Sequence, residues 1–465
     1  MTLYEYVERI KHKRIAVIGI GVSNMPLIEL LLEHGCDVTA CDRRSFEQMG
    51  DDGQHLLDIG AKLKLGDDYL EGLEFDLIFR APSLMPFEKH LQEAASKGAI
   101  ISSEMEVFMS LCPCRTIAVT GSDGKTTTSS IISELLNAAG YTVHLGGNIG
   151  HPLLCDLPDF RDEDIAVLEL SSFQLHSMLC QPDVAVITNV SPNHLDIHKD
   201  YQDYIDAKRA VLEYQNPNGR VIMNYDDGMT QYFEQYSCAH KSYFSDKSEL
   251  AEGAMYKDGV IFRVVDNARR PVMKASEILL PGEHNVLNYL AAFAAVEGLV
   301  DDRTCAMVAK SFAGVEHRLE LVRTLHGVSY INDSIATSPT RTIAGLHALK
   351  TKPIVIAGGY DKGIPFDSLA DELCLYAKAL FLTGDTAGKI YDAVCHSPCF
   401  ELNPIEIHIV EDFSQAVWEA SASAKSGDIV LLSPACAAFD RFKNFVERGK
   451  LFKAIVNDLD KNDLE

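Results

Sequence analysis

Seven consecutive residues, Gly121-Ser122-Asp123-Gly124-Lys125-Thr126-Thr127, stand between an apolar run, Thr116 to Thr120, and a helical pattern. Glycines there let successive N–H groups converge on phosphate oxygens, the helix N-terminus adds its dipole, and Lys125 supplies a point charge. Thr126 would put a hydroxyl on Mg²⁺. The residue six before Lys125 is Val119, so the loop is a shortened variant of the GxxxxGK[ST] pattern. Glu169 ends the run Ile165 to Leu168, and His194 follows the run Val184 to Val190. Both therefore fall at the edge where α/β sheets bind ligands. They suit Mg²⁺ on a nucleoside triphosphate, which keeps few protein ligands; the bland readings are a strand-end ion pair and a loop histidine. Asp196 and His198 read as surface groups. Lys208 lies inside the apolar stripe Tyr201, Tyr204, Ile205, Val211, Leu212, so its ammonium points inward. It either snorkels to solvent or pairs with anions and metal. A partly desolvated lysine loses its proton more easily, and the neutral amine can add carbon dioxide to become a carbamate, a metal-binding anion.

A second glycine turn, Gly19-Ile20-Gly21-Val22-Ser23-Asn24, follows the first apolar strand but has Asn24 where a dinucleotide fingerprint has glycine. Asp42, at the end of the next strand, fits a carboxylate that reads a ribose hydroxyl. NAD, another nucleotide and a plain strand-to-helix turn all stay open here. Gly282 to Asn288 precedes a helix and puts Asn285 and Asn288 on one face, as nucleotide contacts or helix caps. Arg318, within Glu316-His317-Arg318-Leu319-Glu320, and Asp333, within Asn332-Asp333-Ser334, read equally as nucleotide contacts or surface charge. Ser433 to Asp440 brings small residues between a strand and a helix, which allows close backbone approach to a ligand.

Positioning these groups takes strands that alternate with amphipathic helices, and that alternation runs from end to end. The pattern predicts an α/β protein with mainly parallel sheets in three blocks: a Rossmann-like domain over 1–112, a central P-loop ATPase-like domain over 113–313 and a Rossmann-like domain over 314–465. The chain's 465 residues, with a net charge of −25, make phosphate-backbone binding an unlikely role, so no nucleic-acid partner is expected. The charged stretch Met1 to Arg14 has no apolar core and no run of about 18 apolar residues occurs, so neither secretion nor membrane insertion is expected. The 12 cysteines form no CxxC pair; Cys36, Cys41 and Cys180 read as buried small hydrophobes in a reducing compartment.

Taken together, GSDGKTTT at 121 to 128, GGNIG at 146 to 150, LELSSFQL at 168 to 175, GEHNVLN at 282 to 288, HRLE at 317 to 320 and SPACAAFDRFKNFVERG at 433 to 449 resemble the Mur ligase family of cytoplasmic peptidoglycan-precursor enzymes. The resemblance covers nearly the whole chain. It implies an ATP-dependent amide ligase, in which a substrate carboxylate attacks the γ-phosphate and an amino acid's amine then displaces phosphate from the acyl phosphate. The second, third and last segments are similar to those of members that add D-glutamate to UDP-N-acetylmuramoyl-L-alanine.

In family terms Lys125, His194 and Lys208 are catalytic. Gly121 to Thr127 with Asn285, Asn288, Arg318 and Asp333 contact ATP, with His317 beside them. Thr126 and Glu169 match one Mg²⁺ site, and His194 with a carbamylated Lys208 a second. Asp42 and Arg44 fall where the family reads uracil, and Asn148 where it meets the UDP-sugar. Thr337, Lys362, Ala438, Phe439 and Phe445 match the amino-acid pocket. The implied protein is a cytoplasmic monomer with small-molecule substrates only, whose third block closes onto its second. Ala438 stands where many members carry Ser, and Ile335 where lysine is common, so a sister ligase for another acidic amino acid, such as L-glutamate or a folate polyglutamate, is the runner-up. From other classes, a nicotinamide-dependent oxidoreductase would use Gly19, Gly21 and Asp42 and have no use for Lys125; a nucleotide-binding regulator would not turn over.

Overall fold

The computed structural model describes residues 1–459 except 177, 195, 196, 281, 350 and 362. Two compact units divide the chain, Met1–Phe312 and Ala313–Glu465. The first unit holds two sheets. Strands β1 (Arg14–Ile18), β2 (Asp37–Asp42), β3 (Lys62–Leu65), β4 (Leu77–Arg80) and β5 (Ile100–Ser102) make a five-stranded parallel sheet in the order β3-β2-β1-β4-β5. Its order reverses at β1 and β4, and the carboxyl ends of those strands carry the Gly19 turn and Arg80. That is the crevice where such sheets take ligands.

The larger sheet contains β6 (Arg115–Thr120), β7 (Val143–Gly147), β8 (Ile165–Glu169), β9 (Val184–Ile187), β10 (Arg220–Asn224), β11 (His240–Ser245), β12 (Gly253–Lys257), β13 (Val260–Val265) and β14 (Ala268–Lys274). Its order is β14-β13-β12-β11-β10-β9-β6-β8-β7, and all pairs but β12-β13 and β13-β14 are parallel. The central strands β6, β8 and β9 are continuous β-branched and aliphatic runs because helices cover both faces. On one face Ile117, Val119, Val167 and Val186 pack with the helices Lys125–Ala138 and Glu283–Ala295. The opposite face shares a core with the five-stranded sheet, through Ala118, Leu168, Phe108 and Val17.

The second unit is a six-stranded sheet: β15 (Glu320–Leu325), β16 (Val328–Asn332), β17 (Ile354–Ala357), β18 (Ala379–Leu382), β19 (Glu406–Ile409) and β20 (Ile429–Leu432), in the order β15-β16-β20-β17-β18-β19. Only β15 runs antiparallel. Separate apolar layers line its two faces.

The α/β expectation holds, and the anticipated central strands appear with boundaries shifted by up to three residues. The ribbon β12-β13-β14, not anticipated, extends the larger sheet past its parallel part. Arg263 on β13 is buried there between Glu297 and Asp302, at 3.0 and 2.9 Å. Among the described residues no helix is long and apolar enough to cross a membrane.

Candidate active site

Four neighbouring strands, in the order β9-β6-β8-β7, end at one edge of the larger sheet, and each delivers a polar group there. β6 runs into the glycine loop, β8 ends on Glu169, β9 leads to Thr188 through His194, and β7 leads to Asn148. The loop's shape is fixed by its glycines. Gly121 has φ +148 and Gly124 φ +78; a Cβ on the first would lie 1.9 Å from Thr188 Oγ1 and one on the second 2.4 Å from Asn288 Oδ1. The Asn189 side chain closes the loop by accepting from Asp123 N at 3.0 Å and donating to Asp123 O at 3.0 Å. Ser122 Oγ donates to Ser191 O at 2.9 Å and meets the Tyr204 hydroxyl at 2.8 Å.

Lys125 opens the helix Lys125–Ala138, and its Nζ donates to Gly121 O at 3.0 Å and Ser122 O at 2.8 Å. Lys208 reaches the same carbonyl from the helix Tyr201–Glu213, donating to Gly121 O at 2.7 Å. The inward direction read from the stripe is correct: Lys208 is 1% exposed and does not snorkel. Its partners are the carbonyl and the Tyr204 ring, 4.5 Å away. Burial first, and the nearby Lys125 ammonium second, hold its pKa well below the usual lysine value.

Glu169 is buried at the end of β8, opposite Val119 of β6. Its Oε1 accepts from Asn148 Nδ2 at 2.8 Å, whereas Oε2 is buried with no hydrogen-bond partner among the described residues. A buried carboxylate oxygen left unpaired is costly, and a cation removes that cost. With the buried Thr126 in the first turn of the helix Lys125–Ala138, which follows the loop at the same sheet edge, the donor set is oxygen-rich and fits Mg²⁺. His194, at φ +55, lies with its ring 5.0 Å from that of Phe173. His198 corrects the surface reading: it is buried, its Nδ1 faces Asp203 Oδ2 at 2.8 Å and its Nε2 faces Ser172 Oγ at 3.0 Å. Asp196 lies outside the described residues. Asn285 and Asn288 are joined, Asn288 Nδ2 to Asn285 Oδ1 at 2.9 Å, and Thr128 Oγ1 donates to Asn288 Oδ1 at 3.3 Å. The asparagine pair therefore sits against the first turns of the phosphate-loop helix.

At the edge of the five-stranded sheet, Asp42 accepts from Ile20 N at 2.7 Å and from Arg44 N and Nε at 2.9 and 3.0 Å. Burial pushes the Asp42 pKa up, but the Arg44 and Ile20 donors outweigh it and hold it below the usual value. The carboxylate thus ties the Gly19 turn to Arg44. Sequence reasoning missed Arg80, which is buried at the end of β4. Its guanidinium donates to Leu84 O at 3.2 Å, Phe173 O at 3.2 Å and His176 O at 2.7 Å, and burial pulls its pKa down to about 10. A lone arginine at a strand end carries no spacing signal that would have marked it.

In the second unit the carboxyl ends of β16, β20 and β17 are adjacent. Asp333 follows β16, is buried, and accepts from Leu319 N at 3.2 Å and Ser433 Oγ at 2.9 Å. Burial pushes its pKa up to about 7. Arg318 is exposed; His317 is buried against Asn332 Nδ2 at 2.8 Å. Buried Arg448, also missed, donates to Ser334 O, Cys436 O and Ala437 O at 3.0, 3.0 and 3.2 Å. It holds the backbone beside Ala438, which is buried, while Phe439 is exposed with its ring 5.9 Å from that of Tyr360. Phe445 starts the helix Phe445–Asp458, and Thr337 is half-buried. Lys362 lies outside the described residues.

The Asp333 shift has a measurable consequence. Its folded pKa is above the unfolded carboxylate value, so its stabilising contribution is full below about pH 4 and is lost as pH rises through about 7. Asp333→Asn mimics the protonated form. Urea denaturation is expected to show wild type losing on the order of 4 kcal/mol relative to this variant between about pH 4 and about pH 8.

Two family models match the chain: the Mur ligase middle domain over residues 119–296 and the Mur ligase glutamate ligase domain over 317–436. The UDP-N-acetylmuramoylalanine--D-glutamate ligase of Clostridium beijerinckii is 48% identical over 98% of this chain and 99% of its own length. That of Ruminiclostridium cellulolyticum is 46% identical over the same shares. Among solved structures, the UDP-N-acetylmuramate-alanine ligase of Thermotoga maritima shares the fold, with a TM-score of 0.55 and 18% identity over 96% of this chain and 100% of that one.

Proposed function

The chain belongs to the Mur ligase family, and from that premise we propose that it is an ATP-dependent ligase joining D-glutamate to UDP-N-acetylmuramoyl-L-alanine, a cytoplasmic step in peptidoglycan-precursor synthesis. The observation that carries the reading is the convergence of Lys125 and Lys208 on one loop carbonyl beside the underpartnered Glu169 carboxylate. Attack of a carboxylate on ATP joins two anions, so charge must be neutralised before the chemistry starts. Lys125 contributes a cation at the phosphates, and the N–H groups of the loop and the helix N-terminus contribute fixed dipoles. Thr126 and Glu169 would hold one Mg²⁺, and His194 with a carbamylated Lys208 a second. When bound, the ions supply Lewis-acid stabilisation of charge on the transferring phosphoryl group.

The substrate carboxylate attacks the γ-phosphorus and ADP leaves; the amine then attacks the acyl carbon, and phosphate leaves. Asp42 and Arg44 are assigned to the uracil and Asn148 to the sugar end, so the nucleotide sugar spans from the five-stranded sheet to Glu169. Asn285, Asn288, Arg318 and Asp333 are assigned to ATP, and Thr337, Lys362, Ala438, Phe439 and Phe445 to the amino acid. The division at 1–112, 113–313 and 314–465 and a monomeric state belong to the same proposal. Incubation with UDP-N-acetylmuramoyl-L-alanine, ATP, Mg²⁺ and single amino acids is expected to release phosphate with D-glutamate. Release with L-glutamate alone would shift the assignment to the sister ligase, and tight NAD binding without any release would overturn it.

A further inference from the structure

Behind the phosphate edge lies a cluster that the proposed reaction does not use. His176 follows the short helix Ser172–Leu175, and Asp203 lies in the first turn of the helix Tyr201–Glu213. His176 Nε2 approaches Asp203 Oδ1 at 2.9 Å, while His198 Nδ1 approaches Oδ2 at 2.8 Å. The three donor atoms all lie within 4.8 Å of one another. Two imidazoles thus turn a nitrogen toward one carboxylate, the donor set that suits a borderline transition metal and poorly suits Mg²⁺ or Ca²⁺.

We propose that His176, His198 and Asp203 bind one divalent ion of the Zn²⁺ class, with the fourth position left to water. Three features of the surroundings fit such a site. His198 is oriented by Ser172 Oγ at its other ring nitrogen, 3.0 Å away, which is the outer hydrogen bond that metal-bound imidazoles characteristically make. The backbone of His176 is pinned by buried Arg80, whose Nη2 donates to its carbonyl at 2.7 Å, so the ligand is preorganised. The side chains of His176 and Asp203 keep 17% and 15% exposure, which gives the ion an entry path.

The site is separate from the nucleotide edge. The Phe173 ring lies 5.0 Å from His194 and stacks at 5.4 Å on His198, forming a wall between the two. The ion would staple the segment after Glu169 to the helix that carries Lys208, through residues to which the proposed reaction assigns no role.

The experiment uses the full chain, stripped with a chelator and kept in excess Mg²⁺. Co²⁺ is titrated with visible absorption and calorimetry as readouts, and Zn²⁺ is then added to displace it. One equivalent of Co²⁺ is expected, displaced by Zn²⁺, with a rise in Tm on Zn²⁺ addition. His176→Gln and Asp203→Asn are each expected to weaken uptake at least about tenfold, the lower end of what perturbing a metal site's ligand shell costs. Glu169→Gln is expected to retain the full equivalent. Absence of stoichiometric uptake in Mg²⁺ overturns the proposal, as does uptake unchanged in His176→Gln. Uptake lost in Glu169→Gln overturns it too, because the ion would then lie at the nucleotide edge. Should Asp203→Asn fail to fold, the His176→Gln variant, at a half-buried position, decides alone.

Discussion

Lys125→Ala is expected to abolish ligation while leaving the fold standing. Lys125 occupies the first position of its helix, with its ammonium over the carbonyls of Gly121 and Ser122. Alanine is the best helix former, and the loop's shape is set by Gly121, Gly124 and the Asn189 bridge rather than by the lysine, so thermal denaturation is expected to move little. The catalytic loss is of another order. Removing one preorganised donor from a site of developing negative charge costs about 10²–10³ in kcat, and a full cation at the phosphates is worth at least that. Phosphate release at saturating substrates is the measurement. A wild-type rate with an intact melting profile would refute the phosphate-loop assignment.

The loop was legible because its chemistry is local: strand, glycines, lysine and helix occur in one stretch, and the parallel run Thr116 to Thr120 could be read from β-branched residues alone. Lys208 was legible for a different reason, a charged residue inside an apolar stripe, although the stripe could not say that its partner would be Gly121 O, 87 positions earlier in the chain. His198 was misread because a histidine in a polar loop carries no periodicity; its burial comes from Ser172, Asp203 and the Phe173 ring, which only the tertiary fold brings together. Arg80 and Arg448 were invisible for the same reason, since each is satisfied by backbone carbonyls, which leave no trace in residue types. The ribbon β12-β13-β14 does leave a local trace in the sequence, at its two turns. Asp258-Gly259 and Asp266-Asn267 both take positive φ at two successive residues, the requirement of tight hairpin turns, and both pairs belong to the residue types that favour it.

Lys208→Ala is expected to lose activity about 10²-fold or more, and short carboxylic acids are expected to restore part of it. An ammonium that is 1% exposed, with one carbonyl at 2.7 Å and an aromatic face at 4.5 Å, is hydrogen-bonded to no carboxylate among the described residues; the Lys125 charge adds repulsion, and the opposing Asp123 charge is outweighed. Both effects favour the neutral amine. Its nitrogen lone pair can attack carbon dioxide, forming an N–C bond and releasing a proton to solvent, and the product is an anion where the free lysine would be a cation. In the proposed two-metal site a carbamate would add an anionic ligand to that of Glu169, whereas the free ammonium would add a second cation to that of Lys125. Truncation to alanine would remove the proposed carbamate and leave a space that formate or acetate can enter, carrying the same charge to the same place. Recovery of about tenfold with these acids, alongside a fall in wild-type rate when carbon dioxide is stripped from the buffer, is the expected pair of results, since losing even a hydrogen-bond partner of a metal ligand costs about 10–100-fold. Lys208→Ala that folds, binds ATP and responds to none of formate, acetate or bicarbonate would show that the lysine acts through its ammonium on Gly121 O, as a clamp on the loop rather than as a source of negative charge.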